Sequence, residues 1–141
     1  MANWDNHFRQ AKHNEALAGQ LEATSDLRHW DWLITTAFYA AVHYVEAAFF
    51  FISDIVHTET ACLNGDKHAF RTRGVRSNLG NECWRSYRKL QEASYNVRYL
   101  ALANTQPLDI AIKYYSLNDA KDLYNLHLAK VRQCVEAKLA Q

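Results

Sequence analysis

His68 and Arg71 stand three positions apart, a spacing that puts both on one side of a helix. Arg98 and Tyr99 lie toward the far end of the same apolar-periodic run. Metal-free cleavage of RNA needs a base for the 2′-hydroxyl proton, an acid for the leaving oxygen and a cation for the phosphate charge. His68, Arg71 and Arg98 supply those residue types and are the candidate catalytic set. With Lys67, Arg88 and Tyr99 they are also the candidate contacts to a nucleic acid or nucleotide, without any catalysis. In the plainer reading, His68 sits in a surface turn and Arg71 is ordinary solvated charge. A second polar group interrupts an otherwise apolar stretch: Tyr39, His43 and Glu46, spaced so that Tyr39 or Glu46 can hydrogen-bond His43. It reads as a core or dimer-seam cluster. Of the four tryptophans, Trp30 reads as core, Trp4 and Trp84 as interface residues, and exposed ones can stack bases.

The charge distribution allows an anionic ligand for the middle of the chain. Residues 1–66 carry three Lys/Arg against nine acids, residues 67–98 carry eight against two, and the remainder five against four. A basic segment attracts phosphate, or else pairs with the acidic first half. Cys62, Cys83 and Cys134 are far apart and show no zinc spacing, and the pairs His7/His13 and His29/Asp31 lack metal-site spacing. No metal and no cofactor are expected. The Walker, GxGxxG, GxSxG and HExxH patterns are absent, which excludes the commonest nucleotide-loop, hydrolase and zinc-protease classes. The opening residues MANWDNHFRQ lack the apolar core of a signal peptide, so a cytoplasmic chain is expected.

These residues need elements to hold them. The chain has 141 residues, 49% of them hydrophobic, with four Gly and one Pro, which favours one all-helical domain over residues 1–141. The run from Ser25 to Val56 is its centre. Leu27, Trp30, Ile34, Phe38, Ala41, Val45, Phe49, Ile52 and Val56 form one stripe at helical spacing. Trp32, Tyr39, Ala40, Tyr44, Ala47 and Phe51 make the other side apolar or aromatic too. Asp31, His43, Glu46 and Asp54 divide the run and argue against a membrane span.

A first helix is expected from about Asn3 or Asp5 to Glu22, with Phe8, Ala11, Glu15, Ala18 and Leu21 on one face, extended by Ala16 and Leu17. Gly19 weakens its last turn. Thr24, Ser25 or Asp26 caps the second helix, and the short link makes the two helices antiparallel. Asp66 caps a third helix over about Lys67 to Asn104, with a kink or break near Gly80. Pro107 and the segment 108–117 form an irregular crossover, with a short extended piece allowed there. Ser116 caps the last helix, with Asp119 in its first turn. The result is an antiparallel bundle of four to five helices. The two-sided apolarity of the second helix suggests a homodimer.

The pattern resembles the HEPN domains, small helical bundles of prokaryotic nucleotide-binding and toxin-type proteins. Three pieces carry the resemblance: Asp31-Trp32 followed by Ala37 to Ala47; Lys67-His68 with Arg71; and Ser94-x-x-x-Arg98-Tyr99. A last helix after a short crossover completes it. The resemblance implies a dimerising bundle. Many members are metal-independent ribonucleases marked by Arg, four to six residues, then His. This chain lacks that signature; Arg9-Gln-Ala-Lys-His13 is one residue short and lies on the first helix. Members without the signature are taken to be binding or partner domains. The expectation is therefore a nucleic-acid- or nucleotide-associated binding module, of a toxin–antitoxin or defence system, with RNA or a nucleotide as ligand. A nucleotidyltransferase-like protein is its expected partner, and no membrane is involved. The alternatives are the endoribonuclease and a structural interaction bundle with no affinity for nucleic acid.

Overall fold

A computed structural model describes residues 3–24, 30–52, 66–99 and 115–141. Of these, 91% are helical and none is in a strand. The first helix, α1 (Trp4–Ala23), starts where the Asn3 side chain accepts the Asn6 N–H at 3.0 Å. At its end the Thr24 hydroxyl donates back to the carbonyls of Gln20 and Leu21. Thr24 thus closes α1 instead of capping α2, and the other two candidate caps, Ser25 and Asp26, lie outside the described residues.

The central helix is α2 (Trp30–Phe51). Trp30, Ile34, Phe38, Ala41, Val45 and Phe49 are buried, and so are Ala40, Tyr44 and Ala47 of the second side. Its exposed line is narrow: Trp32 and Tyr39 are exposed, with Thr36, His43 and Phe50 half-buried at the same helical spacing. By length and composition α2 could cross a membrane, yet 78% of its apolar window is buried within the fold, as a core helix requires. Trp4 packs on Phe51 and Phe8 on Tyr44, so α1 and α2 run antiparallel. Leu17 of α1, placed by its spacing beside the buried face, is instead exposed.

The expected long third helix is two. Asp66 caps α3 (Lys67–Leu79) by accepting the Ala69 N–H at 3.1 Å. At Gly80 φ is +94°, a conformation that only glycine adopts at no steric cost, and α4 (Asn81–Tyr99) begins directly after it. A break here lets α3 and α4 pack on each other while both contact the same core. Gly74 has a different role: a Cβ there would stand 2.6 Å from Cζ of Phe49, so its absence lets α3 approach α2. Gly19 likewise faces the Tyr124 hydroxyl and does not end α1.

The last rod is continuous. It comprises α5 (Leu117–Asp122), a π segment (Leu123–Leu128) and α6 (Ala129–Leu139). Ser116 and Asp119 form a reciprocal capping box at its start. Ala120, Leu123, Leu128, Val131 and Val135 join one hydrophobic cluster centred on α2. The five rods pack together around it. The extended piece expected within 108–117 falls mainly outside the described residues, as do Cys62 and the ends of the Ser25–Val56 run.

Candidate functional site

Two helices, α3 and α4, bring His68, Arg71 and Arg98 together against a third, α2. His68 lies in the first turn of α3, directly after the Asp66 cap. Its ring stands 5.9 Å from the Phe38 ring of α2, centroid to centroid. The Arg98 guanidinium, from the last turn of α4, lies over that same Phe38 ring at 5.7 Å and over Tyr39 at 5.3 Å. Its Nη1 donates to the Tyr39 hydroxyl at 2.7 Å, and its Nε donates to the Ser94 carbonyl at 3.2 Å. Phe38 is therefore the apolar floor on which a histidine and an arginine meet from different helices.

Arg71 belongs to this neighbourhood but not to its surface. It is 8% exposed, and its Nε donates to Oε1 of Glu46 at 2.7 Å. A guanidinium removed from water needs a charged partner, and Glu46 is also buried. The reading of Arg71 as a solvated or phosphate-contacting cation is thereby corrected to a structural ion pair between α3 and α2. Its Nη1 still lies 3.5 Å from Nδ1 of His68. The Tyr87 hydroxyl, fully buried beside this pair, makes no hydrogen bond of ordinary geometry among the described residues, and burial pushes its pKa up.

Burial, followed by the neighbouring charges of Arg71 and Arg98, holds the His68 imidazole below its ordinary pKa of 6.5; Asp66 acts in the opposite direction. At neutral pH His68 is uncharged and has a nitrogen able to accept a proton.

Two hollows open at Arg98. One, of about 260 Å³, is lined by Asp66, His68, Gln91, Tyr95 and Arg98. The other, of about 220 Å³, is lined by Asp31, Trp32, Thr35, Val97 and Arg98. Trp32 is 59% exposed and Tyr95 54%. A cation thus separates two hollows, each with an exposed aromatic ring in its wall. Gln91 is held by the Thr72 hydroxyl, which donates to its Oε1 at 2.8 Å. Tyr95, Gln91 and Asp66 were not among the candidate ligands. The spacing of Gln91, Tyr95 and Arg98 by four and three was the signal that could have found the first two.

The expected Tyr39–His43–Glu46 cluster divides among three partners. Tyr39 takes Arg98, Glu46 takes Arg71, and His43 takes His7 of α1, with Nδ1 to Nδ1 at 3.1 Å and the rings stacked at 5.3 Å. Arg88 lines neither hollow at Arg98. It pairs with Glu92 at 2.9 Å and lies over the Trp84 ring at 5.3 Å. Lys67 is exposed at the start of α3. Tyr99 closes α4, and its side chain lies outside the described residues.

Further polar contacts link helices. Glu15 of α1 accepts from the Tyr44 hydroxyl at 2.5 Å and from Arg132 of α6, which ties α1, α2 and α6 together. Ser86 of α4 and Nδ1 of His127, in the π segment, are 3.1 Å apart. Among the described residues no group of three His, Cys, Asp or Glu side chains could hold a metal ion. Comparison of the chain with protein-family models, curated proteins and solved structures finds no match to any of them.

Proposed function

We propose that this protein is a HEPN-like, nucleic-acid- or nucleotide-associated binding module whose ligand is taken at Arg98. The observation that carries the reading is the position of Arg98 between two hollows, one walled by exposed Trp32 and the other by exposed Tyr95. A guanidinium suits phosphate, and aromatic faces on either side suit stacked bases of any sequence. The basic charge of residues 67–98 supports the same ligand class. The test is anisotropy of a labelled single-stranded RNA with wild type and Arg98→Glu, at low and moderate salt. The variant should bind at least about tenfold more weakly. Unchanged binding rules this surface out.

A second reading has its own support. His68 is uncharged at neutral pH and adjoins Arg71 and Arg98, the protonation state a general base requires. On that reading the protein is a metal-independent endoribonuclease. RNA cleavage in EDTA, lost in His68→Ala, separates it from the binding module. Neither binding nor cleavage would point to the third class, an interaction bundle.

The toxin–antitoxin or defence context and the nucleotidyltransferase-like partner belong to this proposal through the resemblance alone, and the cytoplasmic setting through the odd, widely spaced cysteines. The homodimer belongs to it through the exposed stripe of α2, where Trp32 and Tyr39 remain uncovered. Sedimentation at micromolar concentration tests it, and a monomer there counts against it.

A further inference from the structure

The π segment faces α4 across a hollow that the Arg98 site does not include. Its volume is about 310 Å³, and Arg85, Ser86, Lys89, Leu126, His127 and Lys130 line it, with Glu82 at one side. Lys130 is committed to Glu82, at 2.9 Å. Lys130 and, less strongly, Arg85 hold the Glu82 carboxyl below the usual carboxylate range. That leaves Arg85 and Lys89, both exposed, with no ion pair among the described residues. The hollow therefore carries surplus positive charge.

Lys89 and His127 also line a second hollow of about 370 Å³, so the two hollows adjoin. This one is acidic, with Glu92, Asp119 and Asp122 in its wall. Glu92 is taken by Arg88, and Asp119 accepts the Ser116 N–H at 3.0 Å. Asp122 is exposed and makes no side-chain hydrogen bond to the helix it flanks and no ion pair among the described residues. Its charge is felt at His127, where it opposes the lowering of the imidazole pKa by burial and by Lys89.

The geometry points to a binding site, spanning these two hollows, for a phosphate monoester that carries hydroxyls, as sugar phosphates and nucleotides do. Arg85 and Lys89 take the phosphate charge. His127 supplies a directed hydrogen bond. A neutral imidazole has one N–H and one bare nitrogen. When the Ser86 hydroxyl donates to Nδ1, the proton stands on Nε2, which becomes the donor to phosphate oxygen. Ser86 is 8% exposed and acts only through the ring, as a positioning residue. Asp122 accepts from the sugar hydroxyls, which inorganic phosphate does not carry and which a sugar phosphate holds at a distance from its phosphoryl group. The π turn fits this reading, because a widened turn replaces ordinary helix hydrogen bonds and such turns are commonly kept where function needs them.

The site is independent of the Arg98 reading, and the test keeps the two apart. The full chain is titrated with inorganic phosphate, ribose 5-phosphate and AMP, by calorimetry and by the ring resonances of His127. All three ligands should move the His127 resonances, and ribose 5-phosphate should bind several-fold more tightly than phosphate. Lys89→Glu should weaken all three by about tenfold or more. Asp122→Asn should remove the advantage of ribose 5-phosphate without weakening phosphate. Both residues are exposed, so the fold is checked by helical circular dichroism. AMP binding more tightly than ribose 5-phosphate assigns the site to a nucleotide; equal binding assigns it to a sugar phosphate. Still resonances, unchanged binding by Lys89→Glu, or loss of phosphate binding in Arg98→Glu would overturn the site. Equal affinity for phosphate and ribose 5-phosphate would overturn the role of Asp122.

Discussion

Glu46 of α2 accepts a hydrogen bond from Arg71 of α3 at 2.7 Å, and both side chains are buried. Their attraction is set against the cost of removing two charges from water. Removing one partner strands the other.

Glu46→Gln and Arg71→Met are each expected to destabilise the fold by about 3–5 kcal/mol, because an uncompensated charge or donor set stays buried. The double variant Glu46→Leu/Arg71→Met should recover most of that loss. Urea unfolding of the three proteins checks this, and single variants losing less than about 1 kcal/mol would show that water reaches the pair.

Stability should fall as pH drops below 6.5. His68 and His127 both have folded-state pKa values below the ordinary 6.5, chiefly through burial. Above 6.5 the folded and unfolded chains are both neutral at these sites and neither contributes. As pH falls through 6.5, the unfolded chain takes up protons first and is favoured, until the pH passes the folded values. Urea midpoints from about pH 8 to about pH 5 should decline, and His68→Gln/His127→Gln should flatten the slope. An unaltered slope in the double variant would assign the effect elsewhere.

The two helical glycines at close approaches should respond differently to alanine. At Gly74 the new Cβ meets the buried Phe49 ring at 2.6 Å, so Gly74→Ala should cost about 1–3 kcal/mol despite alanine's better helix propensity. At Gly19 the obstacle is the Tyr124 hydroxyl at 2.7 Å, the far end of a side chain. In a Tyr124→Phe background, Gly19→Ala should add up to about 1 kcal/mol. Thermal unfolding of both series decides it, and a stabilising Gly74→Ala would contradict the packing described.

For RNA binding, Trp32→Ala should cost about 1–3 kcal/mol, the value of one stacked base. Arg98→Gln should reduce the salt slope by about one, whereas Arg88→Gln, which lines neither of the two hollows, should change it less. An anisotropy series in salt measures all three. Equal effects of Arg88 and Arg98 would spread the interface over α4 instead of centring it on the two hollows.

Local patterns were legible because local physics makes them. The caps at Asp66 and Ser116 depend on a side chain reaching a backbone N–H three residues on, so short sequence windows reveal them. The break at Gly80 is of the same kind, since only glycine tolerates its φ. The apolar stripe of α2 announced a helix through its period, and the apolarity of its other side announced a core one. The candidate site was legible in part: His68 and Arg98 were marked by residue type, but their common floor, Phe38, was not.

By itself, then, the sequence determined a helical chain, the centrality of α2 and the order of its caps and breaks, all consequences of interactions within a few residues. Only the tertiary structure decided who pairs with whom. Arg71 and Arg98 are both arginines of the α3–α4 stretch. One is consumed by Glu46 in the interior and the other stands between two hollows. Likewise Tyr39, His43 and Glu46 share one helix, yet each is turned toward a different neighbour. Burial and partner depend on which helices meet, and that is set by packing across residues far apart in the chain.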